Sequence, residues 1–396
     1  MSKILVEDRE EQTRVPFLRG ILIRSLQDAG MPFDDAFSMA TEIRADLGDT
    51  SLVTTDDLHS MVLKRLKATR QDHIVNRYEE YNIPPTIQVE QRDGQLMPFS
   101  RLEHQHHLET IGLTSDEAAS FVAMLHKHLI DRRIEKLTSR RLAKLTYRYL
   151  RQSRSLGPAV AHRWLVWRDF ANHNRALIFL IGGTAGCGKS SIANMLASRL
   201  DIVRTQSTDM LREVMRTMLP EQLMPVLHQS SFDAWKALPG KLEAITETPE
   251  SLLVQGYRSQ ADLLSVTIEA VMQRALRERV SLVLEGVHIH PAFMEKMKSS
   301  EDAVVIPIML GVLKRKQLQR RISGRSTNAP LRRAERYLKH FDEIWRLQSY
   351  LLSEADRTDI PIIANIDRDK VFREIMRITI ETLAKDCKES PEAVFA

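Results

Sequence analysis

The chain lacks the features that mark exported and membrane-spanning proteins. Its 396 residues include two cysteines, Cys187 and Cys387, which excludes a disulfide framework and predicts two reduced thiols. No stretch approaches the roughly 18 consecutive apolar residues of a membrane helix, and the first residues lack the apolar core of a signal peptide. We therefore predict a soluble, cytoplasmic protein with no membrane partner.

Strong charge of one sign and aromatic residues are also scarce. Lysine and arginine together number 57 against 52 for aspartate and glutamate, and aromatic residues make up 6% of the chain. Nucleic-acid-binding surfaces usually show a clear basic excess or a basic groove interleaved with aromatic side chains. The composition therefore predicts no nucleic-acid partner, while the length allows two or three domains.

What the chain does have is a glycine-rich loop. The run Gly183-Thr-Ala-Gly-Cys-Gly-Lys-Ser190 matches the G-x-x-x-x-G-K-[ST] phosphate-binding pattern, and it lies between an apolar strand and a helical segment. Backbone N–H groups of such a loop bind phosphate oxygens at a helix N-terminus. We predict that Lys189 reaches the β- and γ-phosphates of ATP and that Ser190 binds Mg²⁺. The predicted ATP-binding residues of this loop are Gly183, Thr184, Ala185, Gly186, Cys187, Gly188, Lys189, Ser190 and Ser191.

Apolar runs alternate with helical segments from residue 176 onward. This alternation predicts an α/β domain whose parallel sheet is covered by helices on both faces. Ligands of such sheets collect at the carboxyl ends of the strands, so polar residues there are candidate site residues. The predicted strands are residues 177–181, 202–205, 281–285, 303–310 and 361–364.

Asp209 and Arg212 follow the second predicted strand. A carboxylate here can orient or deprotonate an acceptor hydroxyl, or hold Mg²⁺ through water, and an arginine one turn later can bind an acidic substrate. The alternative role for Asp209 is to cap the N-terminus of the next helix.

Glu285 ends the third predicted strand and is followed by Gly286, which lets the backbone turn closely. We predict that its carboxylate approaches Mg²⁺, so that Ser190, Asp209 and Glu285 are the candidate metal ligands. His288 and His290 follow in the same loop. One of them contacts substrate phosphate, or neither has a role in the site.

Residues 314–333 contain eight basic residues and no acidic one. Two short helices joined by a basic loop are typical of the lid of a small-molecule kinase, whose arginines neutralise charge on the transferred group. Arg320, Arg321 and Arg325 are the lid candidates, and we assign the catalytic role to Arg321 and Arg325. A solvated basic surface and a nucleic-acid groove are the alternatives.

The first 150 residues contain an internal repeat. One copy reaches Val15-Pro-Phe-Leu-Arg19 and the other Met97-Pro-Phe-Ser-Arg101, and residues 36–47 then align without a gap on residues 118–129. The pattern resembles the ATP-cone, a small helical module that binds nucleotide as a regulator. Its opening lysine is replaced by Asp8 and Gln91. The pair is either a structural or weakly binding remnant or an allosteric nucleotide site built on Arg92 and Arg101.

Two clusters in and just after this region are predicted to have no chemical role. His104, His106 and His107 lie on a polar helical stretch without carboxylate or cysteine partners, which predicts a solvated face rather than a metal site. Trp164 and Trp167 lie on adjacent turns of a connecting helix, and we predict that both pack against the protein.

Residues 176–385 resemble the 2-phosphoglycerate kinase family. The phosphate loop, Ser207-Thr-Asp-Met-Leu-Arg212, Leu227-His-Gln-Ser-Ser231, Glu285-Gly-Val-His288 and Ile362-Ile-Ala-Asn-Ile-Asp367 carry the resemblance in this order. It implies phosphoryl transfer from ATP to the 3-hydroxyl of 2-phosphoglycerate, with ATP and Mg²⁺ as cofactors. It also implies that His228 helps Arg212 to bind the acceptor and that Asn365 lies near the adenine.

Together these features predict a P-loop kinase preceded by two ATP-cone-like modules. The predicted boundaries are 1–82 and 86–152 for the modules, 153–175 for a linker helix and 176–396 for the kinase domain. The predicted partners are a small phosphorylated acid as substrate and a regulatory nucleotide at the modules, with an oligomer as an open alternative. A nucleoside monophosphate kinase and a non-catalytic ATP-binding regulator are the competing functions.

Overall fold

The computed structural model describes residues 4–8, 13–48, 50–69, 74–75, 78, 87–173, 175–239, 248–298, 303–324, 331–387 and 390–395. The chain divides into two compact units. One consists of Met1–Phe99 with His126–Ser139, and the other of Ser100–Leu125 with Arg140–Ala396.

The first unit contains two small sheets of the same topology. In each, a strand pairs antiparallel with the strand that follows it and parallel with a third strand, which gives the orders β2-β1-β3 and β5-β4-β6. The sequence repeat is therefore also a repeat of structure, whereas the likeness to the ATP-cone stays a prediction. The strands are β1 (Leu5–Asp8), β2 (Thr13–Pro16), β3 (Leu52–Thr54), β4 (Gln88–Glu90), β5 (Leu96–Pro98) and β6 (Lys136–Thr138).

The helices of the two copies follow their hairpins in the same order. Two of them begin at hydroxyl caps, because Thr54 Oγ1 accepts from the Asp57 N–H and Ser100 Oγ from the Glu103 N–H. The helices of the first copy are α1 (Arg19–Asp28), α2 (Phe33–Asp46) and α3 (Thr55–Ala68), and those of the second are α4 (Arg101–Thr110), α5 (Ser115–Asp131) and α6 (Ser139–Gln152).

A five-stranded, all-parallel sheet forms the centre of the second unit, in the order β11-β10-β7-β9-β8. This confirms the predicted α/β architecture, and each predicted strand is present within two residues at either end. The strands are β7 (Ala176–Gly182), β8 (Arg204–Ser207), β9 (Leu282–Gly286), β10 (Ala303–Gly311) and β11 (Ile362–Ala364).

Helices cover both faces of this sheet, because successive side chains of a strand point to opposite sides. On β7, Phe179 and Ile181 join one buried cluster, and Ile178 and Leu180 join the other. The helices are α7 (Gly157–Asn172), α8 (Lys189–Arg199), α9 (Thr208–Met218), α10 (Pro249–Arg277), α11 (Pro291–Met297), α12 (Arg315–Ser323), α13 (Leu331–Lys339), α14 (Phe341–Arg357), α15 (Arg368–Ala384) and α16 (Pro391–Val394). None of the helices in the described ranges combines the length and apolar character that a bilayer crossing requires.

The prediction of a solvated histidine face is wrong for His104. Its ring is buried, one ring nitrogen lies 3.0 Å from Thr146 Oγ1, and burial lowers its pKa to about 3. It also meets the Trp164 ring edge-on. The packing role of Trp164 is confirmed, since it is 1% exposed and donates from Nε1 to the Ala143 carbonyl.

Candidate active site

The phosphate loop connects the central strand β7 to helix α8. Gly183, Gly186 and Gly188 have φ values of +139°, +86° and +92°, which side-chain-bearing residues rarely adopt. A Cβ atom on Gly183 would lie 2.5 Å from the Leu310 carbonyl oxygen, so the loop also needs glycine for space. The predicted strand-loop-helix context is confirmed, and the loop presents backbone N–H groups at a helix N-terminus.

Lys189 turns back over the loop that carries it. Its Nζ donates to the Thr184 carbonyl at 3.0 Å, and the residue is 9% exposed. The Thr184 hydroxyl is buried and finds no hydrogen-bond partner within the described part of the chain. A buried ammonium with capacity for further hydrogen bonds fits the phosphate-binding role predicted for Lys189.

Ser190 and Glu285 meet across 95 residues of sequence. Ser190 Oγ donates to Glu285 Oε1 at 2.9 Å, because β9 runs beside β7 and ends next to the loop. A hydroxyl and a carboxylate are hard oxygen ligands that suit Mg²⁺. No group of three His, Cys, Asp or Glu side chains could hold a metal among the described residues. A Mg²⁺ site here would thus also need the phosphate oxygens of a nucleotide, as is usual for this ion.

Asp209 does not cap helix α9. Ser207 is the N-cap, and its Oγ accepts from the Asp209 N–H at 3.3 Å, so the alternative capping role of Asp209 is wrong. The Asp209 carboxylate is 67% exposed, and its Oδ1 lies 4.0 Å from His288 Nδ1.

A cavity of about 130 Å³ brings together residues from five segments of the chain. Five predicted catalytic or metal-binding residues line it, together with residues of the segment after α9 and of α13. From the sequence, that segment is recognised as a site candidate only through the family resemblance, because short polar loops have no characteristic residue pattern. The lining residues are Ala185, Lys189, Ser190, Asp209, Arg212, Ser230, Ser231, Phe232, Glu285, Val287 and Tyr337.

Arg212 reaches this cavity from the first turns of α9. One guanidinium nitrogen donates to the Gln229 carbonyl at 2.5 Å, while its buried Nε finds no partner in the part of the chain that is described. The guanidinium is therefore oriented by a backbone carbonyl and retains donors for an anion.

Of the two lid candidates that the structure describes, Arg321 is near the phosphate loop, since one of its guanidinium nitrogens lies 3.8 Å from where a Cβ on Gly188 would be. Its guanidinium donates to the Asn365 carbonyl at 2.5 Å. Arg320 is exposed on the same helix, and Arg325 lies outside the described residues. Leu318 and Ile322, on the face of α12 opposite Arg320, are buried.

Asn365 supports the phosphate loop from behind. Its Nδ2 donates to the Cys187 carbonyl at 2.7 Å, and the residue is 5% exposed. Cys187 itself is fully buried. A contact between Asn365 and adenine stays a prediction, as does a nucleotide contact of Ser191, which is exposed in the first turn of α8.

The three histidines near the site are held by protein groups. His228 Nε2 lies 2.9 Å from the Leu219 carbonyl oxygen, and His290 Nδ1 accepts from the Ala292 N–H at the start of α11. His288 is 2% exposed. Burial lowers the pKa of both His288 and His290 to about 4, so both rings are neutral at physiological pH.

Known proteins resemble this chain over about three quarters of its length. No protein-family model matches it. Proteins named 2-phosphoglycerate kinase do match it: that of Pyrococcus furiosus is 33% identical over 314 residues, which cover 77% of this chain and all of the relative. Those of Pyrococcus horikoshii and Methanopyrus kandleri are each 33% identical over 299 residues, covering 95% and 88% of the relatives and about three quarters of this chain. Each match is longer than residues 176–396 and thus includes part of the front half.

Among solved structures, a shikimate kinase from Acinetobacter baumannii in complex with shikimate matches at 13% identity. The match covers 56% of this chain and 99% of that chain, with a TM-score of 0.30. This likeness is too low to support a fold assignment, which rests on the sheet order instead.

Proposed function

The chain belongs to the 2-phosphoglycerate kinase family, and we propose that it transfers the γ-phosphoryl group of ATP to the 3-hydroxyl of 2-phosphoglycerate, giving 2,3-bisphosphoglycerate. It is an ATP-dependent phosphotransferase whose cofactors are ATP and Mg²⁺. Its substrate is a small phosphorylated acid.

One observation carries this proposal: a single cavity contains groups for both the donor and the acceptor. Lys189, Ser190 and Glu285 line its donor side, and Asp209 and Arg212 line its acceptor side. Phosphoryl transfer needs positioning and charge neutralisation more than covalent chemistry, and this arrangement can supply both.

On the donor side, the loop N–H groups and Lys189 would bind the triphosphate, while Arg321 would add positive charge beside the loop. Ser190 and Glu285 would hold Mg²⁺, with Asp209 near its water ligands. When bound, the ion neutralises developing charge on the phosphate oxygens.

On the acceptor side, Arg212 would bind the phosphate or carboxylate of the acid, and Asp209 would accept the proton of its hydroxyl. The hydroxyl oxygen bonds to the γ-phosphorus as the bond to the β–γ bridging oxygen breaks. ADP is the leaving group, and the proton passes to the Asp209 carboxylate.

An ADP-release assay with four acceptor conditions tests this function. We expect turnover with 2-phosphoglycerate to exceed that with 3-phosphoglycerate, AMP or no acceptor. Preference for AMP would indicate a nucleoside monophosphate kinase instead. Equal turnover in all four conditions would favour an ATP-binding regulator without transferase activity.

Three further points stay proposals. A regulatory nucleotide would bind the front modules, and equilibrium binding that exceeds one nucleotide per chain would support it. An oligomer can be tested by light scattering. A cytoplasmic location is supported by the count of two cysteines.

A further inference from the structure

A chain of buried hydrogen bonds runs behind the acceptor side of the cavity. Thr208 Oγ1 lies 2.9 Å from His288 Nδ1, and His288 Nε2 lies 3.0 Å from Gln260 Oε1. Gln260 Nε2 then lies 2.6 Å from the Val226 carbonyl oxygen and 3.0 Å from that of Gln229. Thr208, His288 and Gln260 are at most 2% exposed.

The donor and acceptor of every hydrogen bond in this series follow from the backbone carbonyls at its Gln260 end. Two backbone carbonyls can only accept, so the Gln260 amide nitrogen must face them and its Oε1 must face His288. His288 therefore carries its proton on Nε2, and its bare Nδ1 accepts from the Thr208 hydroxyl.

The series of hydrogen bonds connects three separate segments that line the cavity. Thr208 precedes Asp209 at the start of α9, His288 follows Val287 at the exit of β9, and Gln260 holds the segment that leads to Ser230. The same Gln229 carbonyl that accepts from Gln260 also accepts from Arg212, so one carbonyl joins this chain to the proposed anion-binding side chain.

Close packing keeps the three segments together. A Cβ atom on Gly286 would lie 1.7 Å from Thr208 Oγ1, so only glycine lets β9 approach α9 this closely. Tyr257, one helical turn before Gln260 on α10, donates from its hydroxyl to the Val287 carbonyl at 2.8 Å. The donor loop is held by different contacts, through Asn365 and Thr184.

We infer that His288 is a positioning residue that, through Thr208 and Gln260, sets the geometry of the acceptor side and thereby the affinity for the acceptor rather than for ATP. The inference rests on the proposed acceptor site. His288 does not touch the substrate itself, because it is buried behind the residues that line the cavity.

The test compares Thr208→Val, Thr208→Ser and the control Thr379→Val in the full-length protein. Valine keeps the shape of threonine but leaves His288 Nδ1 without a donor, whereas serine restores the hydroxyl. Thr379 is an equally buried threonine of α15 whose hydroxyl donates to the Ile375 carbonyl, far along the chain from the cavity.

We expect Thr208→Val to raise KM for 2-phosphoglycerate about tenfold, while KM for ATP stays within about twofold. Thr208→Ser should stay close to the wild type, and Thr379→Val should lower the melting temperature without changing either KM. Equal changes in both KM values, or behaviour of Thr208→Val like that of Thr379→Val, would overturn the inference.

A spectroscopic arm separates this inference from the proposed function. Long-range ¹H–¹⁵N correlation on histidine-labelled protein, with His288→Phe to assign the signal, should show His288 protonated on Nε2 alone. A proton on Nδ1 would overturn the hydrogen-bond chain whatever the substrate. Absence of wild-type turnover with 2-phosphoglycerate would instead contradict the proposed function, and the KM comparison would then use whichever acceptor stimulates ADP release.

Discussion

The donor and acceptor sides of the cavity are neighbours, yet their residues are held in place differently. Apart from Glu285, the donor side is one continuous loop from Gly183 to Ser190, shaped by glycines with positive φ and closed by Lys189 on the Thr184 carbonyl. The acceptor side is assembled from α9, the segment at 226–231, α10 and the exit of β9, joined by side-chain hydrogen bonds.

The two sides are therefore sensitive to different kinds of substitution. A local loop depends on few contacts outside itself, so its function is lost mainly when its own charged or glycine residues change. An assembled surface depends on buried polar groups far apart in sequence, and leaving one of them unpaired costs free energy and shifts its neighbours.

The largest effect that we expect is at Lys189. Lys189→Ala removes a preorganised charge from the donor side and should lower kcat at least about a hundredfold. Circular dichroism should show that the fold survives, because the glycine turns remain. Near-normal turnover in steady-state assays would show that the loop does not bind the transferred phosphates as proposed.

Arg212→Ala tests the acceptor side. Removing a charged hydrogen-bond donor should lower kcat/KM for 2-phosphoglycerate about thirtyfold, with KM for ATP nearly unchanged. Arg216→Ala is the matched control on the same helix, since Arg216 is exposed and pairs with Glu213. A loss confined to ATP affinity would reverse the assignment of the two sides.

Asn365→Ala should act on the donor side alone. The Cys187 carbonyl loses its 2.7 Å donor, which should raise KM for ATP about fivefold and leave KM for the acceptor unchanged. Asn172→Ala serves as control, because Asn172 Nδ2 also donates to a backbone carbonyl, that of Val394. Isothermal titration with an ATP analogue measures the effect directly, and an unchanged affinity would contradict this support of the loop.

The smallest effect concerns pH and the buried histidines beside the acceptor side. His288 and His290 have folded-state pKa values of about 4 against 6.5 for the model group. The unfolded chain therefore binds more protons as pH falls below 6.5, so the contribution of these two histidines to stability declines through the window from 6.5 to about 4 and then levels off.

Each of these histidines should cost about 1 kcal/mol of stability over the first pH unit below 6.5. Calorimetry at stepped pH measures this decline together with that of the buried His104, and His290→Gln should make the total decline shallower by about 1 kcal/mol over that pH unit. A melting temperature that stays constant from pH 6.5 to 5 would show that the rings can be protonated in the folded protein at little cost.

Local sequence is enough to specify the phosphate loop of the donor side. The glycine loop, its strand and its helix are contiguous, and local pattern and backbone conformation suffice to specify them. The alternation of apolar runs likewise predicted the five strands and a parallel sheet, and the repeat in the front half predicted two copies of one unit, whose small sheets prove to share one topology.

Contacts between groups that are distant in sequence follow from the tertiary structure. The order of strands in the sheet brings Glu285 into contact with Ser190 and Asn365 into contact with Cys187. Arg321, rather than Arg320, lies beside the loop and contacts Asn365. The fold also buries His288 between Thr208 and Gln260. A single sequence shows which residues can donate or accept a hydrogen bond, but partners 28 to 178 residues apart are set by strand order and helix packing, which leave no local pattern in the chain.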